Sequence, residues 1–292
     1  MNIQQERHVV GYNRYRSRLV DGHTHTELCP HGSGDRTALM IEKAIECRIE
    51  KICLTEHAPL PANFIQEYIG DATALQTAAL QRNQVDTYLE LGRQLQRTYG
   101  SRIDISIGFE VDFIPGFEAD TRDFLDQYGP LTEENILSVH FMDGVNNGFW
   151  CVDYSEEEFE RGFGPWLKNQ SELYFKYFSL MRQAVKTDFG TYTPQRIGHL
   201  DLIKKYQNHF GFNERLDRRS LQVVSDILHI LRGQGRELDY NFAGLFKSNC
   251  QDMYPSRFIQ GMAYVIGVPY VLGSDAHGVK DLEKVWMQKD NE

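Results

Sequence analysis

Short apolar runs rich in β-branched and aromatic residues recur along the chain, separated by stretches with the three-to-four-residue apolar spacing of helices. Seven runs read as strands: Arg18 to Gly22, Lys51 to Thr55, Ile103 to Glu110, Asn135 to Phe141, Arg196 to Asp201, Arg236 to Asn241 and Pro269 to Ser274. Helical spacing is seen over Ala38 to Cys47, Thr73 to Tyr99, Phe117 to Tyr128, Ser171 to Phe189, Leu216 to Arg232 and Arg257 to Ile266. Parallel strands need a crossover between them, so this alternation predicts an α/β fold with a parallel sheet. Two segments fall outside it. Residues 58–71 carry Pro59, Pro61 and Gly70 and read as a long loop. Residues 143–170 are too long for an ordinary connection and mix aromatic residues with acids and Arg161, which predicts a lid loop over the strand ends.

With 292 residues, 41% of them hydrophobic, the chain can bury one large core, and α/β barrels reach this length as one domain, expected here over residues 1–292. A net charge of −10 with no basic stripe argues against a nucleic acid held through its phosphates. A small-molecule substrate fits better, with no nucleic acid and no membrane. No run of about 18 apolar residues occurs, and the opening MNIQQERHVV lacks the apolar centre of a secretion signal, so the expectation is a soluble cytoplasmic protein. Five cysteines without a CxxC pair suit a reducing compartment. Cys29, though near histidines, is read as packing rather than ligating.

The polar residues at the strand ends carry the chemistry. In DGHTHTELCPHG, His23 and His25 are two apart and point the same way in an extended chain, and His31 follows in a Pro- and Gly-rich loop. KICLTEHAP ends in Glu56 and His57, and ISIGFEVDF ends in Glu110, a carboxylate able to bridge two ions; Asp112 shares its parity but is placed past the rim. His140 closes ILSVHF, His199 closes RIGHL, and Asp275 and His277 close VPYVLGSDAH. A single histidine after an apolar run is usually a hydrogen-bonded core or turn residue. Imidazoles and carboxylates at so many matching places instead indicate a multinuclear metal centre.

The order H-x-H, a further His, strand-end His, Glu, His and His, and a final D-x-H resembles the PHP (polymerase and histidinol phosphatase) superfamily over essentially the whole chain. DGHTHTELCPHG, TEHAPLP, GFEVDF, ILSVHF, GHLDLI and GSDAH are similar to its monofunctional histidinol-phosphate phosphatases. The resemblance implies a distorted (β/α)7 TIM-like barrel, the PHP fold, with three divalent ions (Zn, Fe or Mn) at the carboxyl ends of the strands. It puts His23, His25, Glu110 and Asp275 on one ion, Glu110, His140 and His199 on a second, and His31, His57 and His277 on a third, with catalytic roles for Glu110, Asp275 and His277. The implied reaction is hydrolysis of L-histidinol phosphate to L-histidinol and phosphate in histidine biosynthesis, by a hydroxide bridging two ions.

Arginine grips phosphate oxygens with paired donors, which nominates Arg161 and Arg196, while Asp35 or Asp153 could meet the substrate's amine. Arg196 stands three residues from His199 and needs a bulge or the strand's lower end to contribute. Three other readings stand beside this one: a PHP phosphoesterase acting on a nucleotide, an amidohydrolase, and a non-enzymatic metal-binding barrel. An amidohydrolase usually bridges its metals through a carboxylated lysine, whereas Glu110 holds that place here.

Overall fold

In the computed structural model, which describes residues 18–213 and 215–287, seven parallel strands form one sheet with helices around it. The sheet strands are β1 (Val20–Thr24), β2 (Lys51–His57), β3 (Asp104–Asp112), β4 (Ile136–Ser138), β7 (Arg196–Ile197), β8 (Glu237–Asn241) and β9 (Tyr270–Gly273), ordered as they occur in the chain. Between β4 and β7 a separate antiparallel hairpin is made by β5 (Phe141–Asp143) and β6 (Phe149–Cys151). All seven residues of β2 are buried, as expected for a parallel strand covered on both faces. The two edges of the sheet meet near their carboxyl ends. Thr24 bridges Ala276, the His25 amide donates to Ala276 O at 2.9 Å, and the Asp275 amide donates to His23 O at 2.8 Å, giving a nearly closed barrel.

Register decides which side chains meet at the mouth. β2 and β3 pair without interruption from Lys51 with Asp104 to His57 with Glu110, so the last residue of β2 lies beside Glu110. β3 continues past Glu110 to Asp112, which pairs with Ser138, and β4 thus ends just short of His140. At the opposite end the barrel is closed by side-chain ion pairs. Lys51 Nζ lies 2.9 Å from Glu134, and Arg196 lies 2.7 Å from Glu134 and 3.1 Å from Glu237 and donates to Gly22 O.

The structure departs from the sequence expectation in three places. The helical stretch from Thr73 to Tyr99 is divided into Ala72–Thr77 and Val85–Tyr99, because Ala79 and Leu80 are buried and the Leu80 amide is spent on His57 O. Residues 143–170, expected as a loop, contain most of the β5–β6 hairpin and the helix Glu156–Leu167. Ser155 caps that helix through the Glu158 amide, and Phe159 and Phe163, four apart, are fully buried on its inner face. A further helix, Val279–Trp286, follows β9. A second apolar cluster, with Phe64, Tyr68, Phe141, Phe149 and Cys151, joins the 58–71 loop to the hairpin. No helix among the described residues is long and apolar enough to cross a membrane.

Candidate metal centre

Every strand-end histidine singled out above converges on Glu110 and Asp275. Glu110 Oε1 lies 2.7 Å from His199 Nε2 and 3.6 Å from His140 Nε2, while Oε2 lies 3.0 Å from His57 Nδ1 and 3.4 Å from His23 Nε2. Asp275 Oδ1 lies 3.1 Å from His25 Nε2 and 3.7 Å from His23 Nε2. Burial opposes ionisation of both carboxylates, yet the imidazoles outweigh it and hold both well below the usual range. Asp275 has φ 55, a left-handed conformation that non-glycine residues seldom adopt and that is concentrated at functional sites.

Three sets of donor atoms lie within 4.8 Å of one another: His23, His25 and Asp275; Glu110, His140 and His199; and His25, Cys29, His57 and His277. The second set is the one the family resemblance implied. In the third, Cys29 and His25 stand where His31 was expected. His31 is nevertheless adjacent, its Nε2 lying 2.9 Å from His277 Nε2.

That contact tests whether cations fit. His31 Nδ1 is 2.7 Å from Thr77 O and His277 Nδ1 is 2.9 Å from Asp275 O, so each Nδ1 must carry the proton. Burial and neighbouring histidines lower His31 to about 4, and His277 is lowered well below its ordinary value by the same causes, so both rings are neutral near pH 7. Their Nε2 lone pairs therefore face each other, an arrangement that a cation relieves. His23 Nε2, His57 Nε2 and Glu110 Oε2 are also buried without a hydrogen bond. Imidazole nitrogens with carboxylate oxygens suit zinc, iron or manganese.

Carboxylates behind the rings set their orientation. His23 Nδ1 donates to Asp239 Oδ2 at 2.8 Å, His25 Nδ1 to Glu56 Oε1 at 3.2 Å, and His140 Nδ1 to Asp112 Oδ1 at 2.9 Å. Such acceptors fix the tautomer and leave Nε2 free to bind an ion. A side chain at Gly273 would stand 2.7 Å from His23 Cβ and collide with Asp239, so glycine lets β9 approach this pair. Sequence reading missed Asp239. Its signal was available: β8 is the one strand given no site residue, and an acid in its middle has no reason to be buried unless something there accepts its charge.

Comparison with known proteins decides the family. The PHP domain family matches residues 21–241, and a Bacillus subtilis histidinol-phosphatase is 34% identical over 90% of this chain and 94% of its own. The chain is a PHP domain protein of the histidinol-phosphatase family. A crystal structure of a candidate histidinol phosphatase from Listeria monocytogenes superposes with a TM-score of 0.87 at 37% identity, covering 90% of this chain and 96% of that one. A Lactococcus lactis histidinol phosphate phosphatase, solved with zinc, L-histidinol and phosphate, shares the fold with a TM-score of 0.62 at 20% identity, covering 91% and 90% of the two chains.

The PHP centre forms the floor of a cavity of about 590 Å³, whose lining includes His31, His57, Glu110, His140, His199, Asp275 and His277. The lining also includes Ala74, Thr77 and Ala78, and Phe141, Cys151, Asp153 and Tyr154 from the hairpin and the residues after it. Part of the 143–170 segment is therefore a packed wall of the cavity. The three substrate contacts nominated from sequence lie elsewhere. Arg161 is exposed on the outer face of its helix, with its guanidinium 5.5 Å from the Trp150 ring. Arg196 is 1% exposed in the ionic plug at the start of β7 and does not reach the cavity, so the lower end of the strand is where it acts. Asp35 accepts from the Val279 amide at 3.0 Å, at the start of the helix Val279–Trp286, and is likewise outside the cavity lining.

Proposed function

We propose that this protein hydrolyses the phosphate monoester L-histidinol phosphate to L-histidinol and inorganic phosphate, the step its family serves in histidine biosynthesis. The observation that carries the chemistry is the convergence of His23, His25, His57, His140, His199 and Asp275 around the buried Glu110 at the floor of one cavity. The substrate follows from the Bacillus subtilis histidinol-phosphatase that matches over nearly all of both chains.

We assign one divalent ion to His23, His25 and Asp275, one to Glu110, His140 and His199, and one to His57 and His277 with the adjacent His31; His25, whose Nδ1 is taken by Glu56, would serve only the first. When bound, they supply the positive charge and Lewis acidity that attack on a phosphate dianion requires. The chain's own residues do the rest. Asp239, Glu56 and Asp112 hold three imidazoles in register before any ligand arrives, so little reorganisation is needed on binding. Glu110 and Asp275 stay ionised and keep the floor from carrying excess positive charge. Hydrolysis joins a water oxygen to phosphorus, breaks the bond to the ester oxygen and returns a proton to the departing alkoxide. The floor holds the phosphoryl group, so the alcohol leaves toward the mouth, where Tyr154, Phe246 and Asp281 can meet its imidazole and amine. All five cysteines are free thiols, in keeping with the cytoplasmic location we assign.

Phosphate release from L-histidinol phosphate, compared with nucleotides and other monoesters in the same metal-analysed sample, tests this reading. L-Histidinol phosphate is expected to be turned over with the highest kcat/KM, and His140→Ala is expected to lower kcat by at least about a hundredfold with the fold intact. Preference for a nucleotide would transfer the assignment to another PHP phosphoesterase.

A further inference from the structure

With Arg161 and Arg196 outside the cavity, the lysine and arginine side chains on its wall, among the described residues, are Lys205, Lys247 and Lys284. Lys247 is exposed at the mouth, and Lys284 is 55% exposed and paired with Asp281 at 2.9 Å. Lys205 differs from both. It follows the short turn Leu202–Lys204 on the same connection as His199, and its side chain is only 22% exposed. Its Nζ donates to the Asp153 carbonyl at 2.5 Å and to Asp153 Oδ2 at 3.1 Å. Asp153 is itself fixed, since the Cys151 thiol donates to its other carboxylate oxygen at 3.2 Å.

An ammonium has three N–H donors. Asp153 takes two, which leaves the third for what fills the cavity. Asp153 and Lys205 line the same cavity as His140 and His199, so this pair faces the space that the metal-ligand residues also face. An ion pair that only balanced itself would give a phosphate dianion no protein cation beyond those at the exposed mouth.

We propose that Lys205 is a catalytic residue of this site, donating its third N–H to an oxygen of the ester phosphate while Asp153 fixes the ammonium. This rests on the phosphomonoesterase reading above, but it concerns phosphate rather than the alcohol attached to it.

The test uses metal-loaded wild type, Lys205→Met and the double variant Lys205→Met with Asp153→Asn. Affinity for inorganic phosphate is measured by calorimetry and by inhibition of p-nitrophenyl phosphate hydrolysis, with metal content determined for each sample. A hydrogen bond to a charged group corresponds to roughly a tenfold to hundredfold loss of phosphate affinity in the single variant, and the loss should persist in the double variant at unchanged metal content. Unchanged affinity in Lys205→Met would overturn the proposal. So would recovery in the double variant, since Lys205 would then only screen Asp153, and so would a loss explained by missing metal. A wild type that binds phosphate and cleaves p-nitrophenyl phosphate but ignores L-histidinol phosphate would defeat the substrate assignment and leave this inference standing.

Discussion

Asp239→Asn isolates one support of the metal centre with little change in shape. Asp239 is fully buried, and its Oδ2 accepts from His23 Nδ1 at 2.8 Å and from Asn241 Nδ2 at 3.0 Å, while Oδ1 has no partner. An amide oxygen can still accept from His23, but without the charge. A charge-assisted hydrogen bond contributes about 1.5–3 kcal/mol against about 0.5–1.5 for a neutral one, so the loss is on the order of 1–1.5 kcal/mol. At about 1.4 kcal/mol per decade, affinity for the ion on His23, His25 and Asp275 should fall roughly tenfold, at the lower end of what such outer partners cost elsewhere. Zinc titration against a competing chelator reads this directly, and urea unfolding of the metal-free protein checks that the fold is kept. Zinc affinity within twofold of wild type would refute the argument that Asp239 orients His23 as a ligand. Uniform weakening at all sites would show instead that the whole centre had been disturbed.

Two further outcomes follow from the same geometry. In the metal-free protein His25 is raised to about 9 and His140 to about 10 from an ordinary 6.5: burial works against the charge, but Asp275 and Glu56 outweigh it at His25, and Asp112 and Glu110 at His140. Because the folded state holds these protons more tightly than the unfolded chain, their stabilisation is full below pH 6.5 and is lost as pH rises through 9 to 10. The urea midpoint of metal-free protein should therefore drop over that range, and zinc binding near pH 8 should release at least two protons per chain, His23, also raised well above its ordinary value, adding to these two, read from calorimetry in buffers of different ionisation enthalpy. Zinc uptake without proton release would contradict these pKa directions. Arg196→Met removes the cation lying 2.7 Å from Glu134 and 3.1 Å from Glu237, so it should cost about 3–5 kcal/mol in unfolding free energy. Inorganic phosphate should bind its folded fraction as it binds wild type, and a weakened phosphate affinity there would restore Arg196 to the site.

The residues legible in the sequence were those whose position along a strand fixes their place in space. His57, Glu110, His140, His199 and Asp275 each close an apolar run or stand one or two residues past it, and a parallel barrel gathers such ends on one rim. Residues whose role depends on a helix face or on a distant partner were not legible. Arg161 looked available for phosphate, but Phe159 and Phe163 take the inner face of its helix and turn it outward. The 143–170 segment read as a loop because Phe141 was assigned to a barrel strand; Phe141 instead pairs with Cys151 and opens a hairpin. Asp239 lies 216 residues from His23, and Lys205 lies 52 residues from Asp153, separations over which no local pattern speaks.

Anomalous scattering from zinc-loaded crystals would locate the ions of this centre. Three peaks per chain are expected at the carboxyl end of the barrel, with ligand distances of about 2.0–2.3 Å to imidazole nitrogens and carboxylate oxygens. One should lie by His23, His25 and Asp275, one by Glu110, His140 and His199, and one by His57 and His277 with their neighbours Cys29 and His31. A single peak, or peaks away from Glu110 and Asp275, would contradict this arrangement.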